Sequence, residues 1–547
     1  MKAIIKNLLI LCIFSLCVFG LTSCGGGYED ELGGSENKPT EGTDGPGVDH
    51  TCDFSGEWQF DSEFHWKTCE CGEMDIENSG VHEGGTATTT QKAKCSVCGA
   101  EYGDLKSDDK VTEDEVTEEH TEEVTEDKVT EDVATEQTPS TQEVVTIKIM
   151  FHVDKNSAEG KAYKKRIDAF NLKYKNVYKA SASFVARTTG ASMYETDLIN
   201  KQQEGTLPDI ITFDAPNCAS YAKSKLLYPL DALVPNSELS DFISVSRFEN
   251  KIYGLPIQES SAGFFYNKQI FQKAGIDVSR YTVDNPWTFA EFEEVCRKLT
   301  EFSKNNSGYS KYAVDMRLDA TKDETATYML YSFIYAAGGE FVSEDGYTAQ
   351  GYLNSPETIK GFEFLQGLVN KGYTGYDIGA TDFFTGKVGM YLSSGWTIPD
   401  LDNKFREYFP DRNSWGILPY PKDVNACSAT GSWCFGITNN GNEDKTGAKE
   451  LLMWLTSAES SKTITDATGM IPARKSVATN YEVGSPEYVL YQQLLKTGRS
   501  RPETVGYPKL TTSFNQIIYN MKGGNVQQVL NASAITLQRE LDALKKK

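Results

Sequence analysis

Two cysteine pairs carry the most chemically suggestive spacing in the chain, Cys69-x-Cys71-Gly72 and Cys95-x-x-Cys98-Gly99, with His65 and His82 nearby. Thiolates at such spacing sit on tight turns where glycine lets backbone amides approach sulfur, and four soft ligands of this kind enclose a structural zinc ion. Cys69, Cys71, Cys95 and Cys98 are the expected ligands, with His65 and His82 as substitutes. Disulfides are a competing use of the same residues, although the five cysteines of this stretch, counting Cys52, cannot all pair internally. Reduced packing thiols are the third reading. Farther along, Cys427 and Cys434 are placed to form a disulfide across a hairpin, whereas Cys218 and Cys296 read as small buried hydrophobes.

Catalytic patterns are missing. The sequence holds no Gly-x-Ser-x-Gly, no His-Glu-x-x-His and no Walker loop. Of its 5 histidines only His120 and His152 lie outside the cysteine-rich stretch, so a His-based triad has little to draw on. A glycosidase needs two carboxylates at a set separation, which sequence does not measure. Binding without catalysis is the expectation, with no cofactor beyond the zinc.

The elements that must position any site follow from composition along the chain. Lys2 and Lys6 precede an apolar run from Leu8 to Gly20, too short for a comfortable span, which reads as an export signal. Residues 24–48 are a Gly-rich flexible tether, and 49–105 the small Cys/His-rich module. Residues 106–143 hold 15 acidic residues against 3 lysines, a net of −12 out of −24 for the whole chain, in Val-Thr-Glu-Asp-like repeats without an aromatic residue. Such a stretch buries no core and is expected to be a disordered, self-repelling linker. The overall acidity argues against nucleic acid and anionic lipid headgroups as partners.

From Val144 onward, β-branched runs alternate with amphipathic helical periods, an α/β pattern of two-lobed length. Val144 to Phe151 is the opening strand. Ala162, Ile167, Ala169, Phe170 and Tyr174 mark one face of the first helix, and Ala180 to Ala186, Met193 to Gln203 and Asp209 to Asp214 continue as strand, helix and strand. Thr288 is an expected N-cap with Glu291 three positions on, the capping-box spacing.

Several segments carry resemblances. Leu21-Thr22-Ser23-Cys24-Gly25 is similar to the lipobox of bacterial lipoproteins, which implies cleavage after residue 23, acylation of Cys24, and a lipid-anchored protein at the extracytoplasmic face of the cell membrane. His65 to Gly72, Gly84-Gly85-Thr86-Ala87-Thr88 and Cys95 to Gly103 together resemble a small zinc-ribbon-like module of bacterial surface proteins, though Thr89 stands where that module often carries a further cysteine. Leu207-Pro208-Asp209-Ile210-Ile211, Ile252-Tyr253-Gly254-Leu255-Pro256, Phe264 to Ile276, Trp287 to Phe292, Phe384 to Tyr391 and Ser394-Gly395-Trp396-Thr397-Ile398-Pro399 occur in order over nearly all of Val144 to Lys547. They resemble the extracellular solute-binding proteins of family 1, the carbohydrate receptors of ABC importers.

That resemblance implies a two-lobed periplasmic-binding-protein-like α/β fold whose hinge is crossed more than once, closing on ligand by rigid-body rotation. The approximate lobe division is 144–256 plus 415–456, and 257–414 plus 457–547. It also implies a monomer that binds a carbohydrate and hands it to ABC permease transmembrane subunits. Sugars need flat aromatic faces and planar polar groups. Trp396 and Trp433 are the expected faces; Asp154, Asp214, Asn217, Gln258, Glu259 and Arg474 are the expected polar groups, each with an ordinary alternative as cap, core residue or interlobe salt bridge. The charge-light, hydroxyl-rich pattern favours an oligosaccharide over an amino acid. The rival reading is a surface glycan-binding adhesin uncoupled from transport.

Overall fold

The computed structural model describes residues 52–60, 64–70, 74–75, 78–106, 143–187, 193–319, 324–431, 433–478 and 481–546. The export signal, Cys24, the tether, Cys71 and the acidic linker from 107 to 142 lie outside the described residues. Everything below belongs to the unit Asp53–Lys547.

Alternation and capping set the local elements. The opening strand Val145–Phe151 buries Ile147, Ile149 and Phe151, and the helix Ala158–Lys173 follows, started by the Ser157 side chain accepting from the Gly160 amide. Tyr178–Phe184, Met193–Glu204 and the fully buried Ile210–Asp214 complete the β-α-β-α-β start. Arg166, which the apolar pattern leaves out, is also on the buried face of the first helix. Its guanidinium donates to Glu459 at 2.5 Å and to Ser460 at 2.9 Å and lies over the Trp454 ring. The capping box at the helix Phe289–Asn305 forms as expected, with Thr288 accepting from the Glu291 amide and Glu291 from the Thr288 amide.

Two sheets result. The first runs Tyr178–Phe184, Val145–Phe151, Ile210–Asp214, Trp433–Ile437, Lys251–Pro256, Ser246–Phe248, with its first three strands parallel and Trp433–Ile437 antiparallel to them. The second is built around the long strand Gln258–Asn267, which pairs with Met390–Ser394, Trp415–Leu418, Ser428–Gly431 and Ile471–Pro472. Each sheet has its own core: Phe151, Phe170, Leu451 and Phe435 in the first lobe, Phe264, Trp287, Phe333 and Leu530 in the second.

The chain crosses between sheets at Pro256 to Gln258, again between Gly431 and Trp433, and returns near Ile471–Pro472. The expected lobe boundaries shift accordingly. Trp415–Leu418 and Ser428–Gly431 join the second sheet because both pair with Gln258–Asn267, so the later segment of the first lobe starts at Trp433. It extends past 456, because the helix Ala458–Thr468 buries Ile464 in the first core and Arg166 ties to it. The expected hairpin at Cys427 and Cys434 is absent for the same reason: the flanking strands enter different sheets, and both buried thiols stand outside any disulfide. Cys218 and Cys296 are buried free thiols, as expected. Among the described residues no helix is long and apolar enough to cross a membrane.

Candidate functional site

Parallel strands of the first lobe turn their carboxyl ends toward the second, the end at which open α/β sheets present their ligands. His152 follows the opening strand there, Asp214 ends its strand there, and Trp433 begins the antiparallel strand opposite Asp214. The second lobe answers with Glu324 and Tyr328 from the helix Glu324–Ala336, with Trp396, and with Arg501. The cleft between them is about 620 Å³, within the ~300–1,000 Å³ usual for small-molecule sites.

Two glycines place Trp396. A Cβ on Gly395 would stand 2.2 Å from the Gly469 carbonyl oxygen, and Gly469 has φ 71° as the left-handed cap of Ala458–Thr468. The turn carrying Trp396 therefore abuts a helix end of the first lobe. Trp396 is 40% exposed, its ring 5.9 Å from that of Tyr328.

Trp433 is held differently. His152 lies parallel to it at 3.4 Å between ring centroids and 3° between planes, and the Arg187 guanidinium is 5.2 Å from the Trp433 ring. Arg187 pairs with Glu195 at 3.1 Å. The His152 amide donates to Thr212 Oγ1 at 3.1 Å, with ring Nδ1 3.0 Å from the same oxygen. Burial, and then the charge of Arg187, push His152 well below the ordinary imidazole range, so the ring is neutral at neutral pH. Its Nε2 is 3.8 Å from Glu159, whose carboxyl is raised by burial and which accepts from the Tyr163 hydroxyl at 2.6 Å.

An interlobe ion pair closes the far wall. Arg501 donates to both carboxylate oxygens of Asp214, at 2.8 and 2.5 Å, and to Glu324 at 2.6 Å. Tyr507 and Thr511 hydroxyls donate to Glu324 in turn. The side chains of Arg501 and Asp214 are 3% and 5% exposed, so this bidentate pair lies out of water.

Of the residues expected to bind ligand, Asp154, Asp214, Gln258, Trp396 and Trp433 line the cleft. Asp154 accepts from the Asn156 amide at 2.6 Å, Gln258 accepts from Thr468 at 3.1 Å, and Asp214 is engaged by Arg501 as the interlobe salt bridge. Glu259, Asn217 and Arg474 stand elsewhere. Strand alternation turns Glu259 away from the face that Gln258 presents. It enters a separate chamber behind the hinge, where the Ser244 hydroxyl donates to it at 2.5 Å and burial raises its carboxyl to about 7. Arg474 donates to the Thr456 carbonyl at 2.6 Å, to Asp241 at 3.2 Å and to Glu238 at 2.9 Å, a structural clasp in the first lobe. Asn217 lies on the short turn Ala215–Asn217, off the cleft. The expected charge-light lining is replaced by charges largely paired with one another. His152, Glu159, Arg187, Glu324, Tyr328 and Arg501 line the cleft without any motif to announce them. Only His152 offered a signal, its place just beyond a strand's carboxyl end.

The Cys/His module gathers a second group. His65, His82, Cys95 and Cys98 bring one ligand atom each within 4.8 Å of one another. His65 and His82, the expected substitutes, join Cys95 and Cys98 in this group, while Cys71 lies outside the described residues. Strand pairing brings the two histidines together: His65 pairs with Gly80, which sets His82, two residues on, to the same side. Cys69 is buried beyond the Thr68 to Met74 bridge and is not a member of this group.

The family model of bacterial extracellular solute-binding proteins matches residues 165–491. This chain belongs to that family. A binding protein of Brucella abortus (strain 2308) is 26% identical over 338 residues, spanning 58% of this chain and 76% of the relative. The maltotriose-binding protein of Pyrococcus abyssi is 23% identical over 292 residues, spanning 51% and 57%. Among solved structures, the cyclic alpha-maltosyl-1,6-maltose binding protein of Arthrobacter globiformis superposes with a TM-score of 0.61 at 22% identity, covering 73% of this chain and 100% of that one. These similarities establish the two-lobed fold. In this solute-binding protein the cleft lies where the two lobes face each other across the hinge.

Proposed function

We propose that this solute-binding protein captures an oligosaccharide between its lobes and delivers it to the transmembrane subunits of an ABC-type permease, as a monomer held by a lipid on Cys24 at the extracytoplasmic face of the cell membrane. The observation that carries the reading is the pairing in one cleft of aromatic surface from both lobes, Trp433 from the first and Trp396 with Tyr328 from the second, with planar polar groups at Asp154, Gln258 and Glu324. Indole faces match the C–H surface of a pyranose, and carboxylates and amides match its hydroxyls. The relatives named for maltotriose and galactooligosaccharide binding point the same way. The ion pairs Asp214 to Arg501 and Arg187 to Glu195 satisfy each other, so an uncharged ligand enters without stranding a charge.

Binding is the whole of this function. His152 is neutral, stacked and hydrogen-bonded, and Glu159 and Glu324 are tied to tyrosine hydroxyls, an arrangement that positions ligand and activates no nucleophile. Calorimetry of the full chain against mono- and oligosaccharides tests the reading. One site at micromolar or tighter affinity for an oligosaccharide is expected, and heat only from amino acids, or from no sugar in the panel, would refute it.

A further inference from the structure

The strand Phe64–Trp66 of the Cys/His module has two faces with different business. Phe64 is 2% exposed and packs against the first-lobe core, its ring 6.4 Å from Trp454 and edge-on to it. Trp66, on the same face by strand alternation, is partly buried against that core, with the Lys165 ammonium 5.6 Å from its ring. His65 points the other way, into the group it forms with His82, Cys95 and Cys98. The acidic linker suggests a module free of the lobes; the structure instead seats it on the first helix and Trp454.

Two sulfur-to-nitrogen distances within the group match those across a tetrahedral metal site. Cys95 Sγ lies 3.6 Å from His65 Nδ1, and Cys98 Sγ lies 3.5 Å from His82 Nδ1. Bond lengths of about 2.3 Å to sulfur and about 2.0 to 2.1 Å to nitrogen at a tetrahedral angle put S and N about 3.6 Å apart. The turn is built for thiolates: Gly99 takes φ 77°, its amide donates to the Cys95 carbonyl at 3.0 Å, and the Ala100 amide lies 3.5 Å from Cys98 Sγ. His65, His82 and Cys95 are 3%, 8% and 3% exposed, so three of the four ligands are withdrawn from water. The strands around them are two or three residues long, too short to hold buried imidazoles and thiols on their own packing.

We propose that His65, His82, Cys95 and Cys98 bind one zinc-type divalent ion, and that this ion, by ordering the strand Phe64–Trp66, locks the module onto the first lobe. Metal loading then protects part of the receptor's own core, since Phe64 covers Trp454 only while His65 is held on the opposite face. Ligation releases the Cys95 and Cys98 thiol protons to solvent, and the sulfurs and imidazoles keep their electrons, so no oxidant or reductant takes part.

The full chain, purified under reducing conditions, tests both halves. Elemental analysis should find about one zinc per chain, and cobalt loaded in its place should give the visible spectrum of a tetrahedral two-sulfur, two-nitrogen site. Cys95→Ser should abolish both signals. On chelation, hydrogen exchange should speed up in peptides covering the first helix and Trp454, with second-lobe peptides unchanged and zinc restoring the protection. Phe64→Ala should keep the metal and lose the coupling, so that first-lobe exchange no longer responds to chelator. A disulfide map joining Cys95 and Cys98, a cobalt spectrum unaltered by Cys95→Ser, or a metal-free chain would overturn the site. Chelation that leaves first-lobe exchange unchanged in the metal-loaded parent would overturn the docking.

Discussion

Trp396→Ala tests the contribution of one proposed sugar-facing surface. Trp396 is 40% exposed in the open cleft, and a Trp side chain carries up to ~250 Å² of coverable surface, so about 100 Å² is free for ligand. Covering that area at ~25 cal/mol per Å² contributes about 2.5 kcal/mol, and its loss raises Kd about 70-fold. The fold should survive, because the ring meets Tyr328 only at a tilt of 45° and belongs to neither lobe core. Calorimetry with the best oligosaccharide gives Kd, and urea unfolding of the same preparation gives stability. A variant with parental unfolding and a Kd within about threefold of the parent would refute the placement of Trp396 as a binding face. Trp433→Ala should behave differently, losing stability as well as affinity, because His152 stacks on the Trp433 ring and the Arg187 guanidinium lies 5.2 Å from it.

Asp214→Ala leaves Arg501 buried with Glu324 as its remaining carboxylate, and urea unfolding should show a loss of about 3 kcal/mol; a loss below about 1 kcal/mol would mean the interlobe pair is idle. Glu259, raised by burial to about 7, keeps a proton in the folded protein that the unfolded chain releases above its ordinary carboxyl range. Stability should therefore fall as pH rises from about 4.5 to 7, by about 3 kcal/mol from this group. Glu259→Gln should flatten that slope in urea titrations, and an unchanged slope would refute Glu259 as its origin; Arg247, Arg501 and Glu503 share its chamber. Thr288→Ala breaks the capping box and should cost about 1 kcal/mol in the same assay.

What was legible in the sequence was local. Alternation set the strand Val145–Phe151, the 3.6-residue period set the helix Ala158–Lys173, and Thr288 with Glu291 set a helix start, because each depends on residues within a turn or two. Ordered motifs over 400 residues carried the two-lobed class and brought Trp396 and Gln258 into view. Partners far apart in the chain stayed hidden. Asp214 and Arg501 are 287 positions apart, and no spacing rule joins them. Arg474 and Glu259 looked like ligand groups until their neighbours were known, since a guanidinium or carboxylate serves a clasp as well as a sugar.

The amino-acid order alone determined which segments become strands and helices, where they are capped, and that soft metal ligands cluster ahead of an acidic run. The tertiary structure decided which sheet each strand joins, and with that everything that depends on contact. Trp415–Leu418 and Trp433–Ile437 are both short apolar strands, yet one extends the second sheet and the other the first, because pairing is chosen by the open edge a strand finds and not by its own period. The same choice separated Cys427 from Cys434, stacked His152 on Trp433, and brought His65 and His82 beside Cys95 and Cys98. Secondary structure is a short-range property of the chain; a site is made where long-range pairing sets side chains from distant segments within a few ångströms of each other.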